Sequence, residues 1–182
     1  MRNLKLAMQV FLVTGVFVAL AMAQSMQSKD LSAADQKFVK EAAQGGMAEV
    51  QLGQLATEKA SSEAVKQFGQ RMVNDHSQAN NKLKELAGSK GVTLPQEPSA
   101  KDRATKERLS KLSGKAFDRA YMADMLKDHR ADIAAFKMES RSGHDAQVKE
   151  FASGTLPTLE DHLKAAEKIH SSTGMESSAM AK

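Results

Sequence analysis

Apolar and small residues recur at helical spacing in two long segments of the first half of the chain. The first segment begins at Ser32, whose spacing to Asp35 resembles an N-terminal capping box, and it predicts a helix over 32–59. The second predicts a helix from Ser61 or Ser62 to about residue 87. The inward positions are Phe38, Ala42, Gly45, Leu52 and Ala56 in the first helix, and Val65, Phe68, Met72, Ala79, Leu83 and Leu86 in the second. Because the link between them is very short, we expect an antiparallel hairpin.

The second half of the chain repeats this arrangement. The spacing predicts a third long helix over 113–143 and a fourth over 144–171. Pro157 lies inside the fourth pattern and is expected to kink that helix or divide it near Gly154, because proline lacks the N–H that a helix needs. The inward positions are Phe117, Tyr121, Met125, Ile133 and Phe136 in the third helix, and Val148, Phe151, Leu159, Ala166 and Ile169 in the fourth.

The two hairpins are separated by a long connection. Residues 88–99 include two glycines and two prolines, which is typical of a segment that breaks regular structure. Residues 100–112 are charged and weakly amphipathic, and they predict a short surface helix. The connection of roughly 25 residues is longer than adjacent antiparallel helices need. Two hairpins joined by such a crossover form one of the standard topologies of four-helix bundles, so the predicted fold class is all-α.

The N-terminus has the pattern of a secretory signal peptide. Arg2 and Lys5 precede an apolar run over 6–20, and Ala21-Met22-Ala23 matches the small-x-small pattern at which signal peptidase cuts. We therefore predict a signal peptide over 1–23, with export to the periplasm or the envelope. The alternative is an uncleaved anchor. The run is short for a membrane span, so no stable transmembrane segment is expected after cleavage.

The remaining chain is predicted to have three parts. A flexible leader over 24–31 precedes one helical domain over 32–171, and a polar, disordered tail follows over 172–182. The absence of cysteine from the chain excludes disulfides and thiolate metal sites. Without the two cations of the signal peptide, 24 of the 26 basic residues remain against 22 acidic ones, a net charge of +2. The charges are interspersed, so no nucleic-acid partner is expected. Protein partners and homo-oligomerisation stay open.

Each long helix carries one polar residue on its otherwise apolar face. These residues are Glu49, His76, His129 and His162. On a helical wheel all four lie within about 50° of the centre of the inward stripe. If the crossover spans the full length of the domain, they also lie at similar heights, spread over about 7 Å at 1.5 Å per residue. We therefore expect the four side chains to meet in the core.

One carboxylate and three imidazoles predict a transition-metal site for Zn, Fe, Mn or Cu. Asp75 and Asp132 flank the inward face, as further ligands or as acceptors that orient an imidazole. Met72 and Met125 each precede a candidate histidine by one turn, and a thioether favours copper. The hydroxyl of Tyr121 is a further group that we expect to hydrogen-bond near the site. The alternative is a buried polar network with a purely structural role.

Several motifs in these helices resemble the DUF4142 family, exported bacterial proteins that are regarded as ferritin-like and whose function is unknown. The resemblance covers about residues 32–168. The motifs are AEVQLG at 48–53, MVNDH at 72–76, FDRAY at 117–121, DHR at 128–130 and LPTLEDHL at 156–163. The resemblance implies a ferritin-like four-helix bundle and export.

The candidate histidines depart from the usual ferritin pattern. Di-iron bundles carry Glu-x-x-His pairs, whereas Val73, Leu126 and Leu159 stand three residues before the histidines here. Iron-oxidase chemistry and iron storage are therefore not expected. A redox or hydrolytic metalloenzyme is a further alternative, although the sequence shows neither an open coordination position nor a substrate pocket. The sequence predicts an exported bundle that binds a metal. The alternative is a non-enzymatic envelope, stress or interaction protein whose His/Glu network is structural.

Overall fold

The computed structural model describes residues 30–179, and the side chains as far as residue 172. Over this range the chain forms five helices and no strand, so the predicted all-α class is confirmed. The helices are α1 (Ala33–Lys59), α2 (Glu63–Ser89), α3 (Ala100–Ser110), α4 (Gly114–Ser142) and α5 (Ala146–Ala179). The predicted signal peptide lies outside the described residues. None of the helices within this range is both long enough and apolar enough to cross a membrane.

Helices α1 and α2 form the predicted antiparallel hairpin. Their backbones approach closely where Gly53 faces Gly69. A Cβ atom added to Gly53 would lie 2.5 Å from the carbonyl oxygen of Gly69, and one added to Gly69 would lie 2.7 Å from the Cβ of Ala56. Any side chain at these two positions would push the helices apart, because the backbones approach without intervening side chains. Helices α4 and α5 form the second antiparallel pair.

Polar contacts at both ends orient the two hairpins. At one end the carboxylate of Asp118, near the start of α4, accepts hydrogen bonds from the backbone N–H groups of Ser61 and Ser62, both at 3.0 Å. At the other end Lys90, just after α2, donates to Asp145, just before α5, at 2.6 Å. Therefore α2 and α4 run in the same direction, and α1 contacts α4 while α2 contacts α5.

The histidines lie between layers of buried apolar side chains. One layer includes Phe68, Met72, Tyr121 and Met125, and another is built from Ile133, Phe136, Ala152 and Leu159. His129 falls between these layers along α4, and His162 falls between them along α5. The helical period predicted this placement, because an inward polar residue flanked by inward apolar residues must share their depth.

The structure differs from the sequence prediction at both ends of the domain and within α5. Leu31, assigned to the flexible leader, is buried, and its carbonyl accepts a hydrogen bond from the Gln36 side chain at 3.0 Å. Helix α5 continues through Pro157, so of the two predicted alternatives, a kink or a division near Gly154, the division is wrong. Proline removes one helical hydrogen bond, and packing on both sides of it maintains the helix. Helix α5 also extends to Ala179, into the segment predicted to be a disordered tail.

Candidate metal centre

Three imidazole rings from three helices meet in the core. His76 of α2 is 8% exposed, and His129 of α4 and His162 of α5 are fully buried. One ligand nitrogen from each ring lies within 4.8 Å of the other two. The ring centroids are 5.3–5.8 Å apart. Among the described residues, no other group of three or more His, Asp or Glu side chains is placed to hold a metal ion. All three histidines were predicted as ligands from the sequence.

The backbone of α4 determines which nitrogen of His129 carries the proton. Its Nδ1 lies 3.0 Å from the carbonyl oxygen of Met125, one turn earlier. A carbonyl only accepts hydrogen bonds, so Nδ1 donates and Nε2 presents a lone pair. Burial, together with the neighbouring His162, lowers the pKa of His129 to about 4. The ring is therefore neutral at physiological pH.

A carboxylate determines the tautomer of His162 in the same way. Its Nε2 lies 2.7 Å from Oδ2 of Asp75, so Nε2 donates and Nδ1 presents the lone pair. Burial opposes ionisation of Asp75, but the bonds and charges of His162 and Arg71 outweigh it, and the net effect is a lowered pKa. Burial lowers the pKa of His162, and this effect outweighs the opposite effect of the Asp75 carboxylate. Asp75 thus has the orienting role that the sequence predicted as one of two alternatives.

These two tautomers leave the facing nitrogens without a proton between them. Nε2 of His129 and Nδ1 of His162 are 3.3 Å apart. Two lone pairs at that distance repel each other unless a proton or a metal ion lies between them. Protonation is opposed by the lowered pKa values of both rings. In a tetrahedral zinc site with bonds of about 2.0–2.1 Å, two ligand nitrogens lie about 3.3–3.4 Å apart. The pair therefore has the spacing of two metal ligands.

His76 supplies a third unpartnered nitrogen. Its Nε2 is buried and has no hydrogen-bond partner among the described residues. Burial first, and then the two other histidines, lower the pKa of His76 to about 3, so this ring is also neutral. Leaving a buried polar atom unpaired costs about 1–3 kcal/mol. The centre thus presents three neutral imidazoles, which is the form that binds metals.

Glu49, the fourth predicted ligand, lies on the other side of His129. Its Oε1 is 4.0 Å from Nδ1 of His129, the nitrogen that donates to the Met125 carbonyl, whereas Nε2 faces His162. That distance is too long for a hydrogen bond. Its Oε2 is buried and unpartnered within the described part of the chain. Burial, followed by the charge of Asp132, raises the pKa of Glu49 well above its usual range. The structure does not bring Glu49 into the group of three ligand nitrogens.

The remaining predicted contributors surround the centre. Met72 and Met125 are fully buried in the apolar layer, and Met125 contacts His129 through its carbonyl. Tyr121 is fully buried, and its hydroxyl has no hydrogen-bond partner among the described residues, so the hydrogen bond expected from the sequence is not observed. Burial, and then the charge of Glu49, raise the pKa of Tyr121. Burial, and then Asp128, raise the pKa of Asp132 to about 7.

A cavity of about 210 Å³ leads to the centre from one side. Its lining includes His76 and Asp132, together with small residues of α1 such as Gly45 and Gly46. On the other side, the ring of Phe68 closes the centre, with its centroid 6.5 Å from that of His129 and 6.4 Å from that of His162. The three imidazoles therefore have one apolar wall and one face toward open space.

The comparison with protein families decides where this chain belongs. The profile of DUF4142, a domain of unknown function, matches residues 20–169. The chain belongs to the DUF4142 family. A comparison with curated proteins found none that matches it.

Two solved structures share the fold of this DUF4142 protein. A DUF305 fragment from Deinococcus radiodurans is 14% identical, with a TM-score of 0.68 over 78% of this chain and 98% of that one. A DUF305 protein from Streptomyces coelicolor is 15% identical, with a TM-score of 0.67 over 78% and 92%. At these identities the similarity shows a common helical fold and carries no statement about activity.

Sequence reasoning missed three parts of the DUF4142 site. The carbonyl of Met125 orients His129, and the spacing of four residues along one helix was the available signal. The Arg71 guanidinium lies 3.2 Å from the Asp75 carboxylate, again four residues away. Both contacts are local. In contrast, the wall formed by Phe68 depends on how α2 packs against α4 and α5, and no local signal indicated it.

Proposed function

We propose that this DUF4142 protein binds a transition-metal ion in its core through His76, His129 and His162. The single observation that supports this proposal best is the pair of facing lone pairs, 3.3 Å apart, on His129 and His162. Each is held by a hydrogen bond on the opposite ring nitrogen, which is the arrangement that typically orients metal-binding histidines. A cation between the rings turns this repulsion into two coordinate bonds.

Three neutral imidazoles favour zinc or copper over manganese, which prefers oxygen ligands. Iron also accepts imidazole, but no carboxylate lies among the three ligand nitrogens. The ring of His76 lines the 210 Å³ cavity, so a fourth ligand, such as water, has room on that side. The proposed role is to hold or deliver the metal. No group in the described site is arranged as a nucleophile with its base, and we propose no reaction.

The proposal includes a ferritin-like four-helix bundle outside the cytoplasm. Four long helices that contact one another in the order α1, α2, α5, α4, with one long crossover, support the bundle assignment. Arg2, Lys5 and the Ala21-Met22-Ala23 pattern support export. Mass spectrometry of the protein from a periplasmic extract tests this part. We expect an N-terminus at Gln24, whereas an intact N-terminus in a membrane fraction would mean a retained anchor.

Metal titration of the purified protein tests the central proposal. We expect about one equivalent of Zn²⁺ or Cu²⁺ to bind to the wild-type protein, measured by calorimetry and by elemental analysis after desalting. The double variant His129→Ala/His162→Ala should bind none. His144→Ala is the matched control, because its side chain is 73% exposed and lies far from the centre along the chain. Equal binding by the wild type and the double variant would refute the proposal.

A structural network is the second candidate function for the same residues. The observation that favours it is the continuous chain of contacts from Met125 through His129, His162 and Asp75 to Arg71, which joins three helices. A metal-free protein that stays metal-free in excess Zn²⁺ and Cu²⁺, and that unfolds at much lower temperature when His129 is replaced, would support this function.

A further inference from the structure

A second cavity, which we call the acidic pocket, lies between α1, α3 and α4. Its volume is about 270 Å³. Five carboxylate side chains line it, against a single lysine, Lys101. The carboxylates are those of Glu41, Glu49, Asp102, Asp128 and Asp132. A cleft with so strong an excess of one charge attracts ions of the opposite sign from solution.

Glu49 forms the inner end of the acidic pocket. It is 3% exposed, and its Oε2 has no hydrogen-bond partner among the described residues. A buried carboxylate without a partner is costly, and a bound cation removes that cost. Because Oε1 lies 4.0 Å from the ring of His129, the pocket reaches the wall of the histidine centre. The acidic pocket therefore extends from the protein surface to a buried carboxylate beside His129.

The acidic pocket adjoins the cavity that contains His76. Gly45 and Asp132 line both, as do Glu41 and Ala131. A Cβ atom added at Gly45 would meet no atom within 4 Å, so the common wall is open at this residue. Burial, and then Asp128 and Asp102, raise the pKa of Asp132 to about 7, and the nearby Lys101 offsets only part of this effect.

We propose that the acidic pocket is the route by which a divalent cation enters, passing Gly45 and Asp132 to reach the His76 side of the histidine centre. This inference rests on the metal binding proposed above. The carboxylates collect a hydrated cation and exchange it rapidly. The imidazoles, which are better ligands for zinc and copper, then retain it. Glu49 lies at the inner end of the route with an unpartnered, buried oxygen and does not join the three ligand nitrogens.

Gly45→Leu tests the route by filling the open wall. A helical glycine replaced by leucine gains helix propensity, and the open space avoids a clash, so the variant should fold. We expect the rate constants for Zn²⁺ uptake and release each to fall at least about tenfold, with the Kd for Zn²⁺ within about threefold of the wild type. Stopped-flow transfer of Zn²⁺ from a fluorescent chelator measures both rates. Gly154→Leu is the matched control, since Gly154 is an α5 glycine whose added Cβ also meets nothing.

Asp128→Asn/Asp132→Asn tests the charge of the route. We expect slower Zn²⁺ uptake at low ionic strength, by about tenfold, and a weaker dependence of the uptake rate on salt. The control, Glu85→Gln/Glu150→Gln, removes two exposed carboxylates that do not line the pocket. Wild-type uptake rates in both Gly45→Leu and the Asp128/Asp132 variant, in a protein that binds Zn²⁺, would overturn the route alone. Failure of the wild type to bind either Zn²⁺ or Cu²⁺ would overturn the proposed function as well.

Discussion

Among the described residues, two groups of buried polar side chains differ in how their polar atoms are paired. Near the start of α1 and the α4–α5 turn, Asp35 accepts from the backbone N–H groups of His144 and Asp145, both at 3.0 Å, and Asp145 pairs with Lys90. We call Asp35, Lys90 and Asp145 the end network. Burial opposes the ionisation of both carboxyl groups. Hydrogen bonds outweigh this effect at Asp35, and Lys90 together with hydrogen bonds outweighs it at Asp145, so both pKa values are lowered.

The polar atoms of the histidine centre are not all paired in this way. Two of its nitrogens face each other without a proton, and a third has no partner within the described residues. Both groups are buried and both link several helices. Burial alone therefore does not distinguish a structural network from the ligand site that we propose. The distinguishing property is whether the polar atoms are paired within the chain. The following predictions separate the two groups on that basis, from the largest expected effect to the smallest.

Asp145→Ala should produce the largest loss of stability. It leaves Lys90, 10% exposed, without its carboxylate, and removes the acceptor for the backbone N–H groups of Gln147 and Val148. Breaking a buried ion pair in this way typically costs about 3–5 kcal/mol. Urea denaturation of the metal-free protein measures the free energy of unfolding. Glu160→Gln, which breaks the exposed pair with Lys137, should cost less than about 1 kcal/mol. Equal losses in the two variants would contradict the structural role of the end network.

Metal should stabilise the histidine centre and leave the end network unaffected. At a free Zn²⁺ concentration one hundred times the Kd, binding to the folded state adds about 2.7 kcal/mol. We expect the thermal unfolding temperature of the wild type to rise accordingly, and that of His129→Ala/His162→Ala to stay constant. Asp145→Ala, provided that it folds, should keep the full Zn²⁺-dependent increment. An increment that persists without both histidines would place the metal elsewhere.

Asp75→Asn should weaken metal binding without removing a ligand. The amide can present its NH₂ group to Nε2 of His162, which would favour the wrong tautomer and put a proton on the ligand nitrogen. Loss of such an orienting partner typically lowers metal affinity by about 10–100-fold. Calorimetric titration with Zn²⁺ measures the change in Kd. Asp161→Asn is the control, because this exposed carboxylate neighbours His162 in sequence and makes no hydrogen bond to it. An unchanged Kd in Asp75→Asn would mean that the carboxylate does not orient the ring.

Glu139, which lies beside Asp35 of the end network, and His76 of the histidine centre should respond to pH in opposite directions. Burial and the adjacent Asp35 raise the pKa of Glu139 from 4.5 to about 7, so its contribution to stability is present below pH 4.5 and lost as pH rises through about 7. His76 has a pKa lowered from 6.5 to about 3, so its contribution is present above pH 6.5 and lost as pH falls toward 3.

Glu139→Gln isolates the first of these effects, the smallest of the four. A step of one pH unit through a titration changes stability by at most about 1.4 kcal/mol. We expect the wild type, relative to Glu139→Gln, to lose stability between pH 6 and 8 in urea denaturation of the metal-free protein. A constant difference between the two proteins over this range would contradict the raised pKa of Glu139.

The positions of the helices and the identity of the three histidines were predictable because both depend on a local period. Apolar residues spaced three and four apart define one face of a helix, and His76, His129 and His162 share that face with buried neighbours. The common height of the three rings also followed from sequence, since the rise per residue and the long crossover determine it. The placement of Glu49 behind His129 did not follow, because a wheel gives the direction of a side chain from its own helix and not its position between neighbouring rings.

The sequence by itself determined that this chain forms helices, which faces are buried and which polar residues enter the core, because these properties follow from backbone geometry over a few turns. Only the tertiary structure decided the tautomers, the unpaired nitrogens and the open wall at Gly45. Asp75 and His162 are 87 positions apart, and their contact at 2.7 Å depends on the packing of α2 against α5. Whether a buried nitrogen finds a partner is decided by such distances of a few tenths of an ångström, which no periodic pattern contains.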